Sequence, residues 1–269
     1  MSQNRIRVEI KDHIAHICLS RAEKHNALDI DMFKAIDSSI KTLRKKRDIR
    51  AIIVSGDGED FCTGLDIKSV MRSPANAVRL LFKWLPWRAN LAQRVSTGWR
   101  ELPVPVIMAI EGRCWGGGLQ IALGADFRIA HPDASLSIME GKWGLIPDMG
   151  GTLALRTHLN QDVAKKLAMT AEEFTGEQAL ALGLVTELDD QPLAKAWQLA
   201  EQICRQSPDA VSAVKRLYNK SWWSGPGAAL ARESAYQLRI LAGKNQKIKT
   251  FNQTHEQDAQ KEFAARGHW

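Results

Sequence analysis

The sequence predicts an α/β fold that runs into a helical C-terminal region, and three observations predict it. Short apolar stretches without a helical stripe recur through residues 1–190, and each ends in a turn that opens a helix. Two of these turns, Thr63-Gly64-Leu65 and Gly116-Gly117-Gly118, carry glycine where the chain leaves a strand, and in open α/β folds ligands bind at such strand ends. From Thr152 onward almost every segment reads as helix, which places a boundary near Gln191 between an α/β core (1–190) and a helical region (191–269).

Arg5 to Lys11 and His13 to Ser20 alternate polar and apolar residues around Asp12 and read as a hairpin. Arg21 to Leu28 is a polar connection. Asp31 to Lys46 carries Met32, Ile36, Ile40 and Leu43 on one helical stripe. Arg50 to Ser55 is a buried strand, followed by the Gly56-Asp57-Gly58 turn. Phe61 to Lys68 is a glycine-containing turn entering a helix, and Pro74 to Pro103 reads as one long amphipathic segment with Leu80, Leu81, Trp84, Trp87, Leu91 and Val95. Its tryptophans fit either plain core or an apolar wall for a ligand. Pro105 to Ile110, Asp126 to Ala130 and Ser135 to Ile138 read as strands.

Asn160 to Thr170 is a candidate helix, and Thr175 starts another through a capping pattern with Gln178, ended by Gly183 before a short strand. Helices are predicted at Pro192 to Arg205, Pro208 to Lys220, Gly227 to Ala242 and Lys244 to Ala265. Leu230, Tyr236, Leu238 and Ile240 on this tail suit subunit packing.

The 269 residues, 45% apolar and 25% charged, are ordinary for a globular protein. The N-terminus shows no signal-peptide pattern, and no apolar stretch reaches the roughly 20 residues that span a bilayer. Cys18, Cys62, Cys114 and Cys204 are spread without a CxxC or Cys/His pattern, which implies reduced thiols in the cytoplasm and no metal. The net charge of +7 is concentrated in Lys41 to Arg47 and Lys244 to Lys249. The first cluster ends a helix, where cations suit the dipole, and no nucleic-acid motif accompanies either.

Chemistry concentrates between Pro105 and Thr152. Three glycines before Leu119-Gln120-Ile121 leave N–H groups bare at a helix start, where negative charge is favoured. Glu140 and Asp148 follow on glycine-rich turns. An anion-stabilising backbone beside two carboxylates suits proton transfer on a carbonyl compound. Plainer readings stand beside this one: the glycines can serve close packing, Glu140 can be a solvated loop carboxylate, and Asp148 can cap the helix at Thr152.

Five segments together carry a resemblance: Arg21-Ala22-Glu23-Lys24-His25-Asn26-Ala27-Leu28, Phe61-Cys62-Thr63-Gly64-Leu65-Asp66-Ile67, Gly116-Gly117-Gly118-Leu119-Gln120-Ile121-Ala122, Gly144-Leu145-Ile146-Pro147-Asp148-Met149-Gly150-Gly151-Thr152 and Ala179-Leu180-Ala181-Leu182-Gly183-Leu184-Val185. In order and spacing they resemble the crotonase superfamily, the enoyl-CoA hydratase/isomerase family, over roughly residues 5 to 190, whereas the tail from Lys244 departs from the family's closing pattern. The resemblance implies a spiral of ββα units with a C-terminal helical trimerisation region that helps close the pocket, assembled as homotrimers or hexamers. It implies an acyl-CoA thioester substrate and no cofactor besides the coenzyme A that enters with it.

Carried over, the N–H groups of Leu65 and Gly117 form an oxyanion hole. Lys24, Ala27, Thr63, Gly64, Asp66 and Ile67 cradle coenzyme A, and Gly116 and Gln120 adjoin the substrate. Family hydratases carry glutamates at the positions of Gln120 and Glu140; an amide is not a usable base near neutral pH, so Gln120 counts against hydration. The pair Glu140 and Asp148 resembles that of dienoyl-CoA isomerases, although those carry an aspartate where Gln120 stands. A double-bond shift is therefore expected, with Glu140 acting alone if Asp148 is only a cap. The alternatives are hydration, a ring-opening isomerase or dehalogenase reaction, and acyl-CoA binding without catalysis. An RNA-binding role for Lys41 to Arg47, as in some relatives resembling this family, is the remoter expectation.

Overall fold

A computed structural model describes residues 4–70, 72–256 and 259–269. The N-terminal hairpin forms as read: β1 (Ile6–Lys11) pairs antiparallel with β2 (Ile14–Leu19) through a turn in which Asp12 and His13 both adopt positive φ. A short 3-10 turn (Ala22–Lys24) leads to α1 (Ile30–Lys45), capped by the Asp29 carboxylate on the Met32 N–H. The stripe Met32, Phe33, Ile36, Ile40 and Leu43 is buried. Next come β3 (Ala51–Gly56), α2 (Ile67–Val70), α3 (Pro74–Leu81), α4 (Leu91–Arg100) and β4 (Val106–Ile110).

The amphipathic segment expected over Pro74 to Pro103 is thus two helices. α3 ends at Leu81, with Phe82 as its C-cap ahead of Pro86, and Asn90 with Gln93 forms a capping box that starts α4 afresh. Its tryptophans divide accordingly: Trp99 is fully buried, whereas Trp84 and Trp87 belong to neither core nor cavity wall and stand in solvent.

β5 (Arg113–Trp115), α5 (Gly117–Leu123), β6 (Phe127–Ala130), β7 (Ser135–Ser137), α6 (Gly151–His158), α7 (Gln161–Thr170), β8 (Glu173–Thr175), α8 (Gly176–Ala181) and β9 (Glu187–Leu188) complete the core connections. The large sheet runs β1-β2-β3-β4-β6-β9, parallel from β2 onward, and a small sheet runs β5-β7-β8. In the central strands successive residues serve opposite faces. Ile52, Val54, Val106 and Met108 join the main core under α1 and α4, whereas Ala51, Ile53, Ile107 and Ala109 meet Ala196 and Ala200 of α9 (Pro192–Cys204). Burial on both faces is why these strands read as continuous apolar runs. It also makes the first helix beyond residue 191 a layer of the α/β core.

Three helices follow: α10 (Pro208–Ser221), α11 (Pro226–Leu241) and α12 (Lys244–Thr254). The helix expected over Lys244 to Ala265 stops at Thr254, because little of its surface is apolar and only Asn245 is buried. The chain end returns to the body instead. The Arg266 N–H donates to the Arg47 carbonyl, and Asp209 accepts from the Gly267 N–H and the Trp269 indole.

Candidate active site

Two turns at the carboxyl ends of neighbouring elements build the centre of the site. The first, Thr63-Gly64-Leu65, is held by a loop that Asn26 clamps. The Asn26 amide donates to the Asp57 and Asp60 carbonyls, and its oxygen accepts the Arg21 N–H. Asn26 sits at φ 55°, a conformation asparagine tolerates, and buries fully. Below it, buried Asp60 takes two side-chain hydrogen bonds from Arg113 at 2.7 and 2.8 Å and a further one from the Arg113 N–H. Leu28 pairs with this turn by donating to the Gly64 carbonyl and accepting from the Asp66 N–H, a pattern that bypasses the Leu65 N–H.

The second turn, Gly116-Gly117-Gly118, opens α5, so the Gly117 N–H is the first of the helix and has no intrahelical acceptor. The two turns touch: a Cβ on Gly64, whose φ is 87°, would lie 3.2 Å from the Gly117 nitrogen and 2.8 Å from the Trp115 carbonyl oxygen. The three glycines have separate reasons. Gly118 packs against the Cys62 carbonyl, Gly117 against Met149 and Leu28, and Gly116 against Glu140.

Glu140 stands on a 3-10 turn (Met139–Trp143) and Asp148 on the loop that leads into α6. Gln120, 3% exposed, joins them. Its Nε2 donates to Glu140 Oε1 at 2.6 Å, while its Oε1 accepts from the N–H groups of Met149 and Gly151 at 2.9 and 3.0 Å. Glu140 Oε2 is buried without a hydrogen-bond partner among the described residues. Burial pushes the Glu140 carboxyl above the usual carboxylate range, with the Asp148 charge adding to it against the opposing hydrogen bond from Gln120. Partial burial raises the Asp148 carboxyl as well, although one side of the residue is open to solvent. Asp148 is not the helix cap: Gly150 holds that position, at φ 87°, and Gln120 serves the N–H groups there.

These groups line one mainly apolar cavity of about 240 Å³. Of the residues singled out in the sequence, Thr63, Gly64, Leu65, Ile67, Gly116, Gly117, Glu140 and Asp148 line it. Gln120, read as a substrate neighbour, lies behind Glu140 instead, with its amide consumed by the protein. Asp66 is likewise engaged: it accepts from Arg21 at 2.8 Å and from the Ser69 N–H in the first turn of α2. Burial works against its ionisation, but those bonds and the nearby Lys24 charge hold its carboxyl below the usual range. Lys24 is exposed, and neither it nor Ala27 lines the cavity. Phe33 and Val70 line it without having been singled out, whereas Leu80 and Ala92 come from the amphipathic segment and Met149 from the motif around Asp148. Phe33 belongs to an ordinary helical core stripe, so its spacing carries no signal of the site. Among the described residues no group of three or more His, Cys, Asp or Glu could hold a metal ion.

The family model for enoyl-CoA hydratase/isomerase matches residues 9–261. The chain is 34% identical to the (E)-benzylidenesuccinyl-CoA hydratase of Thauera aromatica over 78% of this chain and 80% of that protein. It is 31% identical to the mitochondrial Delta(3,5)-Delta(2,4)-dienoyl-CoA isomerase of Rattus norvegicus over 77% and 67%, respectively. Among solved structures, an enoyl-CoA hydratase from Bacillus anthracis superposes with a TM-score of 0.85 at 26% identity, covering 96% of this chain and 98% of that one. Another from Mycobacterium tuberculosis gives 0.83 at 27% identity, covering 97% and 99%.

Proposed function

The chain belongs to the enoyl-CoA hydratase/isomerase family of the crotonase superfamily, and we propose that within it the chain shifts a double bond of an enoyl- or dienoyl-CoA by proton transfer through an enolate. The observation that carries this reading is the junction at Gln120. The side chain that adjoins Glu140 is an amide with both ends bound to the protein, so the titratable groups of the cavity are Glu140 and Asp148.

The Leu65 and Gly117 N–H groups receive the thioester oxygen. As a proton leaves the carbon beside the thioester, charge moves onto that oxygen, and one such donor is worth about 3–4 kcal/mol at the transition state. Glu140 and Asp148 carry the proton between carbons, because their raised proton affinities bring each toward the working pH. Gln120 holds Glu140 in one orientation and leaves Oε2 for the substrate. The apolar lining from Phe33, Leu80 and Met149 receives the acyl chain and keeps water from the enolate. Thr63, Gly64 and Ile67 adjoin the thioester limb, and exposed Lys24, outside the cavity, faces the coenzyme A phosphates.

Hydration is the second reading, favoured by the hydratase names among the relatives. It requires two groups to manage water, and Gln120 cannot supply a base. The exposed apolar residues Val214, Trp222, Leu230 and Leu238 of the last helices support assembly as a trimer or a dimer of trimers. The free thiols at Cys18, Cys62, Cys114 and Cys204 support a cytoplasmic setting. Incubation of the protein with a 3-enoyl-CoA deuterated at the carbon beside the thioester tests the enolate: wild type removes deuterium from that carbon, to the distal carbon or to water, and Glu140→Gln does not. Full retention of the label at that carbon by wild type, with the double bond moved, contradicts it.

A further inference from the structure

On the reading that the Leu65 and Gly117 N–H groups receive the thioester oxygen, we propose that Asp60 and Arg113 are positioning residues that set the distance between those two donors. The donors sit on two glycine-bearing segments, 60–65 and 112–118, that run side by side in the same direction. The backbone pairing between them is short. Cys62 bridges to Cys114, the Phe61 N–H donates to the Glu111 carbonyl, the Cys62 N–H to the Arg113 carbonyl and the Trp115 N–H to the Cys62 carbonyl. Glycine-rich pairings specify register weakly. A slide of one segment along the other would carry Leu65 past Gly117 and pull the two donors apart.

An ion pair stands at the entry to this pairing, five residues before Leu65 and four before Gly117. Asp60 is 5% exposed, and both of its carboxylate oxygens meet Arg113. Oδ1 accepts from the Arg113 backbone N–H and from Nε, each at 2.8 Å, and Oδ2 accepts from Nη2 at 2.7 Å. Backbone and rigid guanidinium fork are thus held by one carboxylate, which fits a single register. Gly112 permits the approach, since a Cβ there would lie 2.8 Å from Asp60 Oδ1 and would meet the Glu59 carbonyl. His25 braces the pair: its Nδ1 lies 2.9 Å from both Asp60 Oδ2 and Arg113 Nη2, and its carbonyl accepts the Thr63 N–H. The first segment is therefore tied at Asp60 and again two residues before Leu65. Exchanging a buried ion pair for apolar groups of similar volume is often neutral or stabilising, and fixing a register is the best-attested use of such a pair. None of Asp60, Arg113 and His25 lines the cavity, so they act through the donors and not on the substrate.

The carbonyl of a bound thioester reports the donors directly. Hydrogen bonds to its oxygen weaken the C=O bond, and isotope-edited infrared spectroscopy of butanoyl-CoA labelled at the carbonyl carbon reads this as a stretch at lower wavenumber. Wild type is expected to lower the stretch relative to the free thioester. Arg113→Met removes both side-chain bonds to Asp60. It is expected to return the stretch toward the free value and to lower kcat by about 10–100-fold, with a smaller change in KM, as a misplacement of about 1 Å does. Arg113→Lys keeps the charge without the fork and is expected to hold both stretch and kcat between the other two. Asp60→Asn/Arg113→Met is expected to match Arg113→Met, because the pair acts as one unit. Only folded protein with ligand bound gives the shifted band, so lost stability alone does not move it. The Arg113 side chain is 36% exposed, and Arg113→Lys carries the test where Arg113→Met does not fold. A lowered wild-type stretch that both Arg113 variants leave in place overturns the proposal alone. A wild-type stretch equal to that of the free thioester overturns the oxyanion-hole reading and the proposal with it.

Discussion

Gln120 and Glu140 are joined by a hydrogen bond of 2.6 Å in which the amide nitrogen donates and the carboxylate accepts, while the amide oxygen holds the backbone of Met149 and Gly151. One buried side chain thereby fixes the orientation of one candidate proton carrier and the loop that bears the other. Gln120→Glu keeps the shape and the two backbone bonds but sets a second carboxyl against Glu140. The two would share a proton, and the second ionisation would move to higher pH. The acid limb of the kcat profile should rise in pH and kcat near neutrality should fall on the order of tenfold or more. KM should change little, since Gln120 does not line the cavity. A KM effect with an unmoved profile would make Gln120 a substrate contact.

Glu140 is held against its own stability. Its carboxyl keeps its proton to higher pH in the folded chain than in the unfolded one, so it costs nothing below the unfolded pKa, and the cost grows as pH rises through the folded pKa and persists in full above it. Glu140→Gln retains the partner for Gln120 and removes the charge. It should therefore raise stability at neutral pH, on the order of 1 kcal/mol by urea denaturation, while abolishing turnover. Equal loss of stability and activity would mark Glu140 as structural.

Gly64→Ala probes the proposed oxyanion hole without touching either carboxylate. The added methyl would lie 2.8 Å from the Trp115 carbonyl oxygen and 3.2 Å from the Gly117 nitrogen, so the two donor turns must part. Loss of one aligned donor predicts a fall of about 10²–10³ in kcat with the pH profile unmoved.

Asp60 gives a pH signature of opposite sign. Burial disfavours its charge, but the Arg113 hydrogen bonds outweigh that and hold its carboxyl below the usual range. Its contribution is present above the ordinary aspartate pKa and is lost as pH falls through the depressed folded value. Asp60→Asn should cost about 2–3 kcal/mol at neutral pH. The wild-type and variant stability curves should converge in acid; parallel curves would contradict the ion pair.

Much of this was legible in the sequence because it rests on local physics. The two-faced strands β3 and β4, the stripe of α1 and the glycine turns at 64 and 116–118 each announce themselves through burial pattern or backbone need. The short strands β5 and β8 escaped reading because three residues carry no periodicity. The break between α3 and α4 was marked by Pro86 and by Asn90 with Gln93, a signal that the apolar spacing outweighed. Long-range pairings were beyond reach: nothing near Gln120 says that its oxygen will meet the N–H groups at 149 and 151, or that this displaces Asp148 from the helix cap. The exposed tryptophans at 84 and 87 read as buried for the same reason, since burial is decided by what the rest of the chain brings to cover them.

The most direct measurement is the mass of the product formed from 2-enoyl-, 3-enoyl- and 3,5-dienoyl-CoA by wild type, Glu140→Gln and Asp148→Asn. Proton transfer between two carboxylates predicts a product of unchanged mass with a moved double bond, lost in both variants. A product heavier by one water, formed by wild type, would contradict it and make Gln120 no barrier to hydration.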